Sequence, residues 1–571
     1  MKTKRIVAVV LALALVWSLM ATGCSSKPRM GKLKQDTWSY YAKTDVFYQT
    51  QLVYCKNPTD TDIQSLAVFV PGEYFNAVRA GDIYKCDINE LAVSGKYTYK
   101  NAPIIFDINS VGYNNGITAT DYVNQAKVYT QRGYIYVTAG FRGAEYGAPY
   151  GVADLKAAIK YLRYIDEDCP GDAEKIIVTG TGVAGGLAAV LGAGGDSPLY
   201  EKYLDKIGAL NKYSDAVYGV MCWSPITGYD VADAAYEWNM GISRGKLTHE
   251  EKRISAALSD SYADYLNALK LTDGKTALTI DGDGGTYTDY LKSTIEESLT
   301  YFLNNVRFPY TAVAVTDNVT EGKPDSEAKD TGNGTVLPED NFDTTDEEQD
   351  GESQDDAAIK NDGIVRTVST SKLVISGKYD TVQDYVDALN TNKKWVTYDP
   401  KTKKATITGI DDFVQQLKGV TRGIAPFDQL DRKQGENMLF GIDGEPAHFD
   451  AILTDIMKDN EDYSADFAKD MQKQDKIGSD TATRVNMYNP MYYINPYYEG
   501  NGTAKTAKLW RIRSGIFRRD TSMCTEVNLA LALQQADCRV DFMETWGVGN
   551  EKMEPDNHAE LNALDWLDNL E

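Results

Sequence analysis

Ile176-Ile177-Val178-Thr179-Gly180-Thr181-Gly182-Val183-Ala184-Gly185-Gly186-Leu187-Ala188-Ala189-Val190-Leu191-Gly192 reads as a strand, a glycine-rich turn and a helix in immediate succession. The β-branched run Ile176 to Val178 is apolar on both faces, as a strand covered on both sides must be. Glycines then break it, and small apolar residues continue as a helix from about Ala184 to Gly192. The same grammar extends upstream. Ile104-Ile105-Phe106-Asp107-Ile108 and Tyr134-Ile135-Tyr136-Val137-Thr138 are short apolar runs. Pro149 opens a helix with Val152, Leu155, Ala158, Ile159 and Leu162 at helical spacing. Val217-Tyr218-Gly219-Val220-Met221 is a further strand. At the C-terminus, Leu509-Trp510-Arg511-Ile512-Arg513 and Arg539-Val540-Asp541-Phe542 are strands on either side of a helix over 521–535, and a helix over 559–570 closes the chain. Strands alternating with helices at this spacing predict an α/β class: a doubly wound, mostly parallel sheet with helices on both faces.

Residues 236–505 break the alternation. They are polar, tyrosine-rich and helical in pattern, and are read as a lid inserted between core halves at 46–235 and 506–571. Within the lid, 317–362 consists mainly of Asp, Glu, Gly, Ser, Thr and Asn. Too few apolar groups are present there to offset the entropy of ordering, which predicts a solvated acidic loop. Calcium is the other reading, but no D-x-D-x-D-G loop occurs.

The N-terminus has a different character. Lys2, Lys4 and Arg5 precede an apolar run from Ile6 to Met20, which ends in Ala21-Thr22-Gly23-Cys24. The run is short for a membrane span and has the pattern of an export signal. The small residues before Cys24 resemble a bacterial lipobox, implying a signal peptide at 1–23, lipidation of Cys24 and a tether over 24–45. The resemblance implies an exported protein held to the membrane through its N-terminal lipid only. The 571-residue chain has a net charge of −24. That sign argues against nucleic acid or an anionic membrane surface as a partner. The cysteines beyond Cys24 are Cys55, Cys86, Cys169, Cys222, Cys524 and Cys538. They form no C-x-x-C pair and have no histidine at metal spacing, so no metal is expected, and most read as buried thiols.

Strand, tight turn and helix is the setting in which α/β-hydrolases carry G-x-S-x-G, with the nucleophilic serine on the turn. Here Gly180 and Ala184 keep the small flanks, and the middle position is Gly182. The stretch from Gly180 to Tyr203 resembles the elbow of the bacterial subtype B tannases and their feruloyl-esterase-like relatives, with Gly182 in the serine's place. Ala139-Gly140-Phe141-Arg142-Gly143, Val152-Ala153-Asp154-Leu155-Lys156-Ala157-Ala158, Ser224-Pro225-Ile226-Thr227 and Ala232-Asp233-Ala234-Ala235-Tyr236-Glu237-Trp238 resemble the same family. A dinucleotide-binding turn would need G-x-G-x-x-G at the first strand with an acidic residue downstream; neither is found, and no cofactor is expected.

The resemblance extends to the other two triad positions. Arg511-Ile512-Arg513-Ser514-Gly515-Ile516-Phe517-Arg518-Arg519-Asp520-Thr521-Ser522 resembles the family block W-R-I-R-H-G-x-x-D-R-D-T-S, which places Arg518 where the orienting aspartate stands. Thr545-Trp546-Gly547-Val548-Gly549-Asn550 resembles P-W-x-x-P-H and places Asn550 on the histidine. Asparagine takes no proton at neutral pH. Of the three histidines, His249, His448 and His558, the last lies near enough in sequence to be weighed as a relocated base. A literal G-x-S-x-G at Gly241-Ile242-Ser243-Arg244-Gly245 follows a helical stretch and lacks the strand that an elbow needs.

In this family a lid lysine, a lid glutamate and a second aspartate hold the phenolic hydroxyls of a galloyl group. The resemblance carries these roles to Arg422, Glu436 and Asp520. Two readings stay open for the three: a retained phenolic pocket, or ion pairs that join lid to core. The sequence therefore points to a tannase- or carboxylesterase-like surface lipoprotein without a working triad, taking a small phenolic-ester or saccharide-like ligand, or a surface protein, in its cleft. An ester hydrolase with an unrecognised nucleophile and a structural module of a surface assembly are the alternatives.

Overall fold

The computed structural model describes residues 30–116, 123–282, 284–312, 360–361, 364–365, 376–547, 554 and 558–569. The export segment with Cys24, nearly all of the acidic stretch and Asn550 lie outside the described residues.

One nine-stranded sheet organises the chain. Its strands are β1 (Ser39–Tyr41), β2 (Val46–Val53), β3 (Ser65–Pro71), β4 (Ile104–Asp107), β5 (Ile135–Ala139), β6 (Ile176–Thr181), β7 (Gly219–Trp223), β8 (Leu509–Gly515) and β9 (Arg539–Thr545). In space they run β1-β2-β3-β5-β4-β6-β7-β8-β9. The first three are antiparallel to their neighbours, and every pairing from β5 to β9 is parallel. The order reverses between β5 and β4, and the parallel half from β4 onward carries the site. This is the α/β-hydrolase arrangement, and both core halves contribute to the one sheet.

Helices α1 (Val123–Thr130), α2 (Tyr150–Tyr164) and α3 (Val183–Ala193) belong to the first half, and α10 (Met523–Gln535) and α11 (Ala559–Asp568) to the second. Between them lie the lid helices α4 (Ala232–Met240), α5 (His249–Leu269), α6 (Thr286–Asn305), α7 (Gly435–Leu439), α8 (Ala451–Met457) and α9 (Thr481–Met487), with short hairpins. Helix α3 packs on β6 and β7, and α10 on β8 and β9. Strands β6 and β7 are buried almost throughout because helices cover the sheet here, which explains their unbroken apolar runs.

Several segments that resemble the tannase family prove to be framework. On α2, fully buried Asp154 accepts from Arg142 Nε at 2.8 Å and Nη2 at 2.7 Å, and from Gln64 at 2.8 Å. Lys156, equally buried, meets Asp215 at 2.7 Å and the Gly194 carbonyl at 2.5 Å. Both partners of each pair are desolvated, so removing either one would strand a buried charge.

Two features differ from the sequence reading. The ordered fold begins before Val46: Trp38 is fully buried, β1 pairs with β2, and the Gly31 amide donates to the Val53 carbonyl at 2.7 Å. Residues 30–45 thus belong to the core edge rather than to a tether. The insertion does more than cap the sheet, since α6 packs directly on β9. It covers the face that an edge strand would otherwise expose.

Candidate active site

Strand β6 enters the turn at Thr181, and α3 starts at Val183. Gly182 between them adopts φ 60° and ψ −120°, a conformation that side chains of L-residues rarely occupy. Three hydrogen bonds hold the turn: the Gly182 amide donates to the Trp223 carbonyl at 2.9 Å, and the Gly182 carbonyl accepts from Gly186 at 3.0 Å and Ile226 at 3.1 Å. The helix can approach this closely because position 186 has no side chain; a Cβ there would stand 2.1 Å from the Ile226 carbonyl oxygen. A Cβ on Gly182, in contrast, would meet nothing within 4 Å. The elbow is fully built and opens onto free space, and its apical residue carries no side chain.

Arg518 lies beside it, in the turn between β8 and α10. Only 2% exposed, it donates through Nη1 to the Glu526 carboxylate and, at 3.4 Å, to the Pro225 carbonyl. Pro225 precedes the residue whose amide holds the elbow, so Gly182 and Arg518 do converge on one corner. Arg518 Nε is 3.5 Å from Asp520. Burial alone would raise the Asp520 carboxyl, but the guanidiniums of Arg518 and Arg422 outweigh it and hold the group below the ordinary carboxylate range.

Behind this corner sit three residues that the sequence reading missed. Glu526 is the counter-ion of Arg518 and also accepts from Ser514 at 3.3 Å and Thr525 at 2.8 Å. Glu544, on β9 opposite Ser514, is buried with no hydrogen-bond partner among the described residues on either carboxylate oxygen. Burial, and then the charge of Glu526, push its carboxyl up to about 8, so it holds its proton at neutral pH. Lys418 reaches the cluster from the lid, and burial lowers its ammonium. Glu526 and Glu544 carry no motif: the start of α10 brings Glu526 onto Arg518, and the pairing of β8 with β9 sets Glu544 opposite Ser514.

The three lid-pocket candidates come together. Arg422 Nη2 is 3.1 Å from Glu436 Oε1, and its guanidinium lies over the Phe427 ring at 4.2 Å. Arg422 also stands among the charges that lower Asp520. Tyr113, from the loop after β4, donates to Glu436 at 2.9 Å and meets the Tyr229 hydroxyl at 3.2 Å. Two tyrosines thus complete a polar wall; nothing distinguishes them among the 38 tyrosines of the sequence. The lid itself is pinned by carboxylates. Asp233 on α4 accepts from the amides of Phe427 at 2.7 Å and Asp428 at 3.0 Å, and burial pushes its carboxyl up to about 7.

The remaining nucleophile and base candidates lie elsewhere. Ser243 forms part of a short 3-10 turn after α4 and donates to the Met240 carbonyl at 2.8 Å. His249 and His558 are exposed at the starts of α5 and α11. His448 is buried in the lid with Nδ1 at 2.7 Å from Asp428. Among the described residues, no cluster of His, Cys, Asp or Glu could hold a metal ion, and no helix is long and apolar enough to cross a membrane. All six cysteines after Cys24 are free, and five are buried.

The BD-FAE esterase family model matches residues 92–265, a span that contains the elbow and ends inside α5. The crystal structure of Fusobacterium nucleatum tannase superposes with a TM-score of 0.65 at 26% identity, over 92% of this chain and 94% of that one. The chain has a tannase-like α/β-hydrolase fold. An orthorhombic crystal structure of tannase from Lactobacillus plantarum matches the same fold, with a TM-score of 0.63 and 22% identity over 94% of this chain and 97% of the tannase. No curated protein matches by sequence.

Proposed function

We propose that this protein is a tannase- or carboxylesterase-like member of the α/β-hydrolases that has lost hydrolysis and kept binding. It is exported, anchored by a lipid on Cys24, and takes a small ligand of phenolic-ester or saccharide-like character, or a surface protein, in the former cleft. The observation that carries the reading is Gly182. A serine-type esterase must form a bond between a hydroxyl at the elbow and the acyl carbon, and glycine offers no atom for that bond. Arg518 supports it, because a guanidinium bonded to Glu526 cannot orient an imidazole as a carboxylate does. Asn550 is the third substituted position.

The test is turnover by the purified protein. With methyl gallate and with a p-nitrophenyl ester, release of acid should equal the buffer rate, while calorimetry with methyl gallate or a short saccharide should register heat of binding. Turnover above buffer that survives substitution at 182, 518 and 550 would overturn the loss of hydrolysis. Release of the protein from membranes by Cys24→Ser tests the anchor.

A further inference from the structure

Where the core meets the lid, three carboxylates pack together away from water. They are Asp233 in the first turn of α4, Asp428 in the lid, and Asp450 at the start of α8, all 0% exposed. Asp428 is fully supplied with donors. Its Oδ1 accepts from Asn437 at 2.7 Å and faces His448 Nδ1 at 2.7 Å, and its Oδ2 accepts from the amides of Phe449 at 2.8 Å and Asp450 at 2.9 Å. Asp450 is not so supplied. Its Oδ1 caps α8, accepting from the amides of Ile452 at 2.7 Å and Leu453 at 3.0 Å. No N–H or hydroxyl among the described residues reaches its buried Oδ2. The Asp450 carboxyl instead meets that of Asp233, and the two are hydrogen-bonded. Ionised carboxylates only accept, so this bond needs a proton on one of them.

The charged groups on the surrounding elements are engaged elsewhere. Further along α4, Glu237 pairs with Arg244. On α5, which packs on both α4 and α8, Glu250 pairs with Arg253 at 2.7 Å. On the lid helix over 464–471 beside α8, Asp470 takes Arg432 at 3.0 Å and Lys473 at 2.8 Å, and Asp466 takes Arg432 at 3.1 Å. On α10, Glu526 pairs with Arg518, and Lys418, from the turn over 414–418 that packs on α4, belongs to that cluster. Among the described residues, the three carboxylates do not converge as metal ligands either. Burial and the adjacent carboxylates accordingly push the carboxyls of Asp233 and Asp450 above the ordinary range.

We propose that Asp233 and Asp450 share one proton, and that this proton is a clasp which holds the lid on the core and releases it as the surroundings turn from acidic to alkaline. Two attachments depend on the clasp. Asp233 holds the Phe427 and Asp428 amides, and Asp428 in turn gathers Asn437 and the 448–450 backbone. Arg422 lies over the Phe427 ring and donates to the Pro426 carbonyl at 3.1 Å, and Glu436 precedes Asn437. Release would thus loosen both sides of the polar wall. That this wall binds a ligand rests on the function proposed above; the clasp does not, and it is tested without a ligand.

Hydrogen exchange at the Phe427 and Asp428 amides, corrected for the intrinsic rate at each pH, measures the opening of the clasp. The opened carboxyls ionise in the ordinary range near 3.8, whereas the closed Asp233 does so at about 7. Closure therefore weakens as pH rises between those values, and protection of both amides should fall about tenfold per unit from pH 5 to pH 7. Asp450→Asn keeps the cap and supplies an amide donor to Asp233 that cannot ionise, so its protection should stay level across the range. Level protection in the unaltered protein, or the same fall in Asp450→Asn, would overturn the clasp. If Asp450→Asn does not fold, the amides of β6 in the unaltered protein decide. A fall confined to Phe427 and Asp428 supports the clasp, and an equal fall in β6 reports the whole fold and overturns it.

Discussion

On the proposed reading, the elbow and the acid position, which meet at one corner of the cleft, have diverged in opposite ways. At the elbow the backbone is intact and the side chain is missing: Gly182 holds the strained turn, its three hydrogen bonds are in place, and the space above it is open. At the acid position the proposed change is a reversal of charge, and the neighbours are arranged around the guanidinium: Glu526 pairs with Arg518, and protonated Glu544 stands behind them. The elbow's packing does not depend on a side chain at 182, because the turn is held by main-chain bonds and close contacts. A guanidinium in a buried corner needs a carboxylate, so that change extends through several residues. Reversal of each change should therefore differ in difficulty.

The largest effect belongs to the acid corner. Arg518→Asp should cost about 3–5 kcal/mol in urea unfolding, since it leaves Glu526 unpaired and adds a carboxylate beside Asp520. A loss below about 1 kcal/mol, the value of an exposed pair, would show that the corner is wet and the comparison mistaken. The triple variant Gly182→Ser, Arg518→Asp, Asn550→His should accordingly stay inactive unless Glu526 is neutralised as well.

Within the elbow, Gly186→Ala should cost about 3 kcal/mol, because its Cβ meets the Ile226 carbonyl. Gly182→Ala should cost about 1–2 kcal/mol, from backbone strain alone. Equal losses in thermal melts would mean that the turn has relaxed and is no longer an elbow.

Glu544→Gln gives the smallest change at low pH. The folded carboxyl sits near 8 and the unfolded one near 4.5. As pH rises between those values the unfolded state ionises and the folded state does not, so native stability falls across the window. Below pH 4.5 both states are protonated and the variant should match the parent. From there to about pH 8 it should gain on the parent, then hold level. A flat difference across that range would place Glu544 in contact with water.

Much of this was legible in the sequence. The strand-turn-helix at 176–192 fixed the elbow, and the strands resumed at 509 and 539 where the pattern placed them, because a sheet buried on both faces demands unbroken apolar runs. The edge strand at Ser39–Tyr41 was missed: it is short, mostly tyrosine, and half-exposed, so no alternation marks it. Family blocks singled out Arg422, Glu436 and Asp520, which the fold brings together, but not Tyr113, Lys418, Glu526 and Glu544 beside them. These four join the site only through tertiary folding, and their spacing in the chain carries no trace of it.

The most direct measurement is proton NMR of methyl gallate mixed with the purified protein over several hours. The account predicts saturation transfer from protein to the galloyl ring, weakened in Glu436→Gln and Asp520→Asn, with no methanol formed beyond the buffer control. Methanol accumulating in proportion to the unaltered protein, and persisting with Gly182→Ala, would contradict the claim that hydrolysis has been lost.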